Sequence, residues 1–220
     1  MNYILIFIVI IISCLLFLKK KTNFINYNGV CAFDIDGTSL QGIKNVCIYK
    51  NNYYDETNGG CTRAAIEACK DKNYAIAVNT ASNRDKQKYC CQTGFCIRDK
   101  CIIEDDNWWN NQKYYSKNYN TSNHGGCGKT IILDKLKKKY NIKNKKNIIL
   151  FDDYHANITG ASNSGFGVIP MNNLLNCSDP LCKNNCGINQ IHINKLIDND
   201  LDFIPCDNFK NQKCNLEITK

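Results

Sequence analysis

The sequence contains 15 cysteines but no Cys-x-x-Cys pair. Structural zinc sites are commonly built from such closely spaced pairs, so their absence argues against a zinc knuckle. Cys14 lies inside an apolar run, and the other 14 cysteines make an even number. Disulfide bonds are therefore the better explanation, and they favour an oxidising compartment such as the secretory lumen or the outside of the cell. We predict several intramolecular disulfides, with at least one inside residues 177–214.

The sequence also lacks a complete phosphate-binding P-loop. Gly128-Lys129-Thr130 has the ending of that motif, but Asn123 stands where its first glycine is required, and no apolar strand precedes it. We therefore exclude a P-loop. Lys129 instead lies at the start of a helix predicted over residues 130–140, where the helix dipole disfavours a cation unless an anionic group is close.

No nucleic-acid-binding motif accompanies the net charge of +8. The lysines are spread along the chain and are densest over residues 135–146. This distribution is typical of the solvated face of a helix and the loop after it. We expect no nucleic-acid partner.

Residues 4–18 form an almost unbroken apolar run, and Lys19, Lys20 and Lys21 follow it at once. We predict that residues 1–22 are a membrane anchor or signal segment, and the lack of a small-residue cleavage site favours a retained anchor. The run is shorter than the roughly 20 residues that usually cross a bilayer. Lysines after the run favour a cytoplasmic location for the rest of the chain, whereas the cysteines favour the secretory lumen, the cell exterior or a virion. The sequence leaves this choice open.

The chain is organised around residues 30–38, Val-Cys-Ala-Phe-Asp-Ile-Asp-Gly-Thr, an apolar run that ends in two carboxylates, a glycine and a hydroxyl. Such a run predicts a strand buried on both faces, as in parallel sheets covered by helices. The carboxyl end of a parallel strand leads to the crevice where α/β proteins bind ligands. Asp34 and Asp36 concentrate negative charge there, and Gly37 permits a tight turn. An ordinary Asp-Gly turn is the alternative interpretation.

Other predicted strands also end in polar residues. Residues 74–80 form one that ends at Thr80, and residues 147–151 form another that is followed by Asp152 and Asp153. Adjacent carboxylates raise each other's pKa unless a cation is shared. The remaining predicted elements are a loop or small hairpin over residues 39–61, helices over residues 62–72, 84–96 and 188–197, and strands over residues 101–103 and 167–171. Thr62 is the predicted cap of the first of these helices.

Four motifs, in this order, resemble those of the haloacid dehalogenase (HAD) superfamily of phosphohydrolases. Asp-Ile-Asp-Gly-Thr is similar to the first motif, although Ser39 stands where the family has an aliphatic residue. Thr80 matches the Thr or Ser of the second motif, and Lys129 matches the lysine of the third, for which Lys113 and Lys117 are alternatives. Asp152-Asp153-Tyr-His-Ala-Asn157 resembles the fourth motif.

The resemblance covers residues 28–171 and implies a doubly wound α/β fold with a mainly parallel sheet in the strand order 5-4-1-2-3. A catalytic domain would span residues 23–171. Residues 39–61 are too few for a large cap and would form a small flap, so the loop over residues 104–128 or the tail would cover the site. A cysteine-rich tail, residues 172–220, would pack on the core.

The activity that the resemblance implies is a magnesium-dependent phosphatase with an aspartyl-phosphate intermediate and a phosphorylated substrate of unknown class. Asp34 would be the nucleophile and Asp36 the general acid and base. Thr80 and Lys129 would hold the phosphoryl oxygens. The metal ligands would be Asp34, the backbone carbonyl of Asp36, and Asp153. Asp152 would support these ligands without binding the metal directly.

Two other functions remain possible on the sequence alone. One is a non-catalytic, disulfide-rich membrane or virion structural protein on the same fold. The other is a lumenal module that binds a glycan or nucleotide through aromatic residues of the loop over residues 104–128, such as Trp108 and Trp109. Glycosylation triplets begin at Asn120, Asn157 and Asn176. A glycan on Asn157 would block the metal site, so we predict that this residue is never modified.

Overall fold

The structure is a computed structural model, which describes residues 26–81, 90–97, 100–108, 127–171, 187–203 and 214, without the side chains of residues 97 and 106–108. The predicted anchor, residues 109–126 of the loop predicted over residues 104–128, and most of the tail lie outside these residues. Within the described ranges, no helix is both long and apolar enough to span a membrane. The membrane association of residues 4–18 stays a prediction.

The strands, in chain order, are β1 (Gly29–Phe33), β2 (Cys47–Tyr49), β3 (Asn52–Tyr54), β4 (Tyr74–Thr80), β5 (Cys96–Ile97), β6 (Lys100–Cys101), β7 (Asp105–Trp108), β8 (Ile148–Asp152) and β9 (Gly167–Pro170). Five of them form one sheet in the order β7-β4-β1-β8-β9, and every neighbouring pair in it is parallel. When these five strands are numbered 1 to 5 in chain order and the sheet is read from β9 to β7, the strand order is 5-4-1-2-3, as expected.

Among the described residues, the sheet is covered by four helices of nine or more residues: α1 (Gly60–Asp71), α2 (Cys127–Lys139), α3 (His155–Asn163) and α4 (Gln190–Asp198). Alternate residues of β1 point to opposite faces because the side chains of a strand alternate. Cys31 and Phe33 join a core cluster with α1 and α4, whereas Val30 and Ala32 join a second cluster with α2 and α3. Helices on both faces of a parallel sheet make this an α/β fold, and the sheet is buried on both sides.

The prediction for β7, the third strand of the sheet in chain order, was wrong. This strand is Asp105–Trp108 rather than residues 101–103, and it pairs with β4 at the edge of the sheet. Lys100–Cys101 instead forms a two-stranded antiparallel hairpin with Cys96–Ile97. The helix predicted over residues 84–96 is seen only at residues 90–92, because residues 82–89 lie outside the described part and Cys96 is in a strand.

The segment over residues 39–61 contains the expected small hairpin, formed by β2 and β3. Its tip is bound to the end of α1, since Lys50 Nζ lies 2.7 Å from an Asp71 carboxylate oxygen. Thr62 does not cap α1, which begins at Gly60. The Thr62 hydroxyl is buried and donates a hydrogen bond to the carbonyl oxygen of Ser39 at 2.7 Å.

Five disulfide bonds join described cysteines, which confirms the prediction of intramolecular disulfides. The pairs are Cys31–Cys69, Cys47–Cys61, Cys90–Cys101, Cys91–Cys96 and Cys127–Cys214. A disulfide within residues 177–214 stays a prediction, because the other four cysteines there lie outside the described residues. The Cys127–Cys214 bond joins residue 214 to the first residue of α2. Helix α4 also contacts the core, since its Ile193 and Leu196 are buried in the cluster that contains α1.

Candidate active site

The central carboxylates meet because β1 and β8 are neighbours in register. Phe33 is paired with Phe151, and their rings stack with centroids 4.5 Å apart. The next residues along the two strands are Asp34 and Asp152, which therefore emerge side by side at the carboxyl end of the sheet. Both are buried. This edge is where parallel α/β sheets form their ligand crevice.

A tight turn after β1 fixes the Asp34 side chain. The carboxylate accepts a hydrogen bond from the backbone N–H of Ile35 at 2.7 Å, and Ser39 Oγ donates to the Asp34 carbonyl oxygen at 2.6 Å. Gly37 has φ of 72°, in the left-handed region that favours glycine. Ser39, the residue that departs from the family motif, thus has a structural use in this turn.

Lys129 lies between two of the carboxylates. Its Nζ is 2.7 Å from Asp34 Oδ2 and 2.5 Å from Asp152 Oδ2, and its side chain is only 2% exposed. Helix α2 begins at Cys127, so Lys129 is in the first turn, where the helix dipole disfavours a cation without an anionic partner. Asp34 and Asp152 are two such partners.

Asp152 is held by further hydrogen bonds. Its Oδ1 accepts from the backbone N–H of Tyr154 at 2.8 Å and from Asn157 Nδ2 at 3.0 Å. Asn157 is buried at the start of α3, with its amide directed at Asp152 rather than at Asp153. A buried amide with this partner is not accessible to a glycan in the folded chain.

Asp153 completes a group of three carboxylates with Asp34 and Asp152. One oxygen from each residue lies within 4.8 Å of the other two, and such a group could hold a metal ion. The Asp153 carboxylate occupies the space next to Gly37, where any Cβ would overlap it. The turn after β1 therefore packs closely against the residue that follows β8, and this packing requires glycine at position 37.

The charges of these groups influence one another strongly. Burial would lower the pKa of Lys129, but the neighbouring carboxylates of Asp152 and Asp34 outweigh this and raise it above its ordinary value. Burial, with Asp152 and Asp34 nearby, raises the pKa of Asp153 to about 8. Three carboxylates facing one lysine leave a negative excess, which a cation would offset.

The other two predicted site residues lie around this centre. Asp36 is exposed in the turn, and its side chain is not part of the carboxylate group. Thr80 is the buried last residue of β4. The alternatives Lys113 and Lys117 lie outside the described residues, as do Asn120 and Asn176.

Asn79 has a positioning role that we did not predict from the sequence. This buried residue follows the Phe33–Val78 pair of β1 and β4, and its Nδ2 donates to the carbonyl oxygen of Lys129 at 3.0 Å. It therefore attaches the first turn of α2 to the sheet and positions Lys129. A polar residue inside the apolar run of β4 is the signal that could have identified it.

We expect Gly37→Ala to disrupt the carboxylate group, because an alanine there adds a Cβ both at positive φ and in the space of the Asp153 carboxylate. Gly165→Ala is the matched control, since Gly165 also has positive φ, at 86°, but its added Cβ would come no closer than 3.7 Å to Lys145 Cδ. Calorimetric titration with Mg²⁺ should detect binding to the control and at least tenfold weaker binding to Gly37→Ala. Equal affinities would contradict the geometry.

A comparison of the chain with protein-family models found no match, and a search among curated proteins found none either.

Proposed function

We propose that this protein is a magnesium-dependent phosphohydrolase of the haloacid dehalogenase type, which forms an aspartyl phosphate on Asp34. The observation that carries the proposal is the convergence of Asp34, Asp152, Asp153 and Lys129 at the carboxyl end of the central strands. The 5-4-1-2-3 strand order is compatible with it, although other doubly wound folds have similar orders. The four residues are more specific because they come from three of the four motifs.

The donor set suits magnesium. All three side chains offer carboxylate oxygens, the ligands that this hard cation prefers, and their negative excess favours a divalent ion. Asp34 and Asp153 are the proposed ligands, together with the backbone carbonyl of Asp36. Bound magnesium would supply charge neutralisation for the phosphoryl oxygens.

Asp34 is the proposed nucleophile because it is the carboxylate fixed by the turn after β1 and paired with Lys129. Attack of its oxygen on phosphorus forms the acyl phosphate and breaks the bond to the leaving oxygen. Asp36, exposed at the mouth of the turn, donates a proton to that oxygen and then takes one from the attacking water.

Lys129 and Thr80 are proposed to bind the phosphoryl oxygens. The Lys129 ammonium is positioned by Asn79 and by Asp152, so its charge is in place before substrate binds. Asp152, with hydrogen bonds from Tyr154 and Asn157, acts mainly as the anchor of this lysine.

We also propose an oxidising location for the domain, the secretory lumen, the cell exterior or a virion, with attachment to a membrane through residues 4–18. Five disulfide bonds in the described residues support the oxidising compartment.

The activity is tested with an aryl phosphate such as 4-nitrophenyl phosphate, in the presence of Mg²⁺ and after chelation. We expect turnover that requires the metal and is restored when Mg²⁺ is added back. Absence of turnover with several classes of phosphate ester, or turnover that chelation does not change, would reject the proposed function.

A further inference from the structure

Two disulfide bonds lie against each other in the segment after β4. Cys90 is bonded to Cys101 and Cys91 to Cys96, all within 12 residues of chain. The Sγ atoms of Cys96 and Cys90, which belong to different disulfides, are 3.9 Å apart. This distance is close to van der Waals contact between two sulfurs.

The four cysteines differ in their access to solvent. Cys91 and Cys101 are exposed, whereas Cys90 is 2% exposed and Cys96 is partly buried. An external thiol can therefore reach the outer cysteine of each bond, and the close contact joins the two inner ones. By contrast, Cys47 and Cys61 are both buried, which makes their disulfide a suitable internal control.

A cation lies beside Cys96. Arg63 of α1 directs Nη1 to the carbonyl oxygen of Cys96, while its Nε is paired with Glu67 at 2.8 Å. The guanidinium contacts the backbone of Cys96 and not its sulfur, and Glu67 offsets part of its charge. We expect the remaining positive charge to favour Cys96 as the leaving thiolate when the Cys91–Cys96 bond is attacked.

We propose a thiol–disulfide relay that accepts two electrons from two external thiol groups. Its members are Cys91, Cys96, Cys90 and Cys101. The thiolate attacks Cys91 Sγ, a mixed disulfide forms on Cys91, and Cys96 leaves as a thiolate. Cys96 then attacks Cys90 Sγ, the Cys90–Cys96 bond forms, and Cys101 leaves and takes a proton from water. A second external thiol releases Cys91 as a thiol and departs in the oxidised disulfide.

The relay predicts a two-electron-reduced form with a Cys90–Cys96 bond and free thiols on Cys91 and Cys101. Simple reduction would instead free Cys91 and Cys96 and leave Cys90–Cys101 intact, or free Cys90 and Cys101 and leave Cys91–Cys96 intact. Trypsin separates these outcomes because it cleaves after Lys88, Arg98, Lys100 and Lys113, which gives peptides 89–98 and 101–113.

The experiment treats the full oxidised chain with one equivalent of dithiothreitol, quenches with acid, labels thiols with N-ethylmaleimide and maps the digest by mass spectrometry. We expect peptide 101–113 to be released with one label, and peptide 89–98 to carry one label on Cys91 and an internal disulfide. Peptides still cross-linked, with labels on Cys91 and Cys96, would overturn the relay. Release of peptide 101–113 with the label of peptide 89–98 on Cys90 would also overturn it, because that pattern marks direct reduction of Cys90–Cys101. The relay would also be overturned if residues 90–101 carried no label while other cysteines, such as Cys47 or Cys61, were labelled.

Arg63→Gln tests whether the guanidinium favours departure of the Cys96 thiolate, and it leaves every cysteine unchanged. Loss of the guanidinium should slow release of peptide 101–113 severalfold, while the Cys47–Cys61 peptides stay unlabelled in both proteins. An unchanged rate in Arg63→Gln would remove the role assigned to the cation.

Discussion

Replacement of Asp34 by asparagine should lower phosphatase activity at least about a thousandfold, because an amide cannot form the acyl phosphate. The fold should survive the change. Asparagine has the same shape, its amide oxygen can accept the Ile35 N–H bond, and Lys129 keeps Asp152 as a partner. Initial rates with saturating 4-nitrophenyl phosphate and Mg²⁺ provide the measurement.

Asp200→Asn is the matched control for this change. Asp200 is an exposed carboxylate paired with Lys195 at 3.1 Å, far along the chain from the site motifs. Its amide variant should keep near-normal activity. Wild-type activity in Asp34→Asn, with both variants folded, would show that the nucleophile is another group.

Replacement of Lys129 by glutamine should reduce the free energy of unfolding by about 3–5 kcal/mol without metal, since it leaves buried carboxylates without their cation. Mg²⁺ should restore part of this loss, because a divalent ion at the same carboxylates replaces the missing positive charge. Urea unfolding with and without Mg²⁺ measures both effects.

The control for Lys129→Gln is Lys138→Gln in the same helix. Lys138 also pairs with an aspartate, Asp134, at 2.9 Å, but its side chain is 64% exposed. Solvent screens such pairs, so this variant should lose less than about 1 kcal/mol. Because it keeps the carboxylate group intact, Mg²⁺ should stabilise it only as much as it stabilises the wild type. Equal losses in the two variants would mean that the Lys129 pair is not the buried centre that its geometry indicates.

Much of the site could be predicted from the sequence because parallel strands bring their carboxyl ends to one edge of the sheet. The apolar runs before Asp34, Thr80 and Asp152 set three strands, and each run ends within a residue of where the structure ends it. Lys129 was predicted from the electrostatics of a helix start together with the resemblance to the third family motif. Its dependence on Asn79 was not, since that hydrogen bond joins residues 50 positions apart.

The errors have local causes. Strand β7 contains Asp105, Asp106 and Asn107, so it has neither an apolar run nor alternation, and only its pairing with β4 defines it. Thr62 looked like a helix cap, but its hydroxyl finds a tertiary partner in Ser39. Disulfide connectivity could not be read from spacing, since Cys31 and Cys69 are joined across 38 residues by the packing of β1 against α1.

The most direct test of the central claim is to locate the phosphoryl group during turnover. Asp36→Asn should slow hydrolysis of the intermediate, whereas 4-nitrophenolate leaves without needing a proton, so the acyl phosphate should accumulate. Borohydride reduces an aspartyl phosphate to homoserine, which peptide mass spectrometry can locate. We predict homoserine at position 34 only when both Mg²⁺ and substrate are present. Continued phosphatase turnover with Asp34 unchanged, or with the phosphoryl group on another residue, would contradict the account.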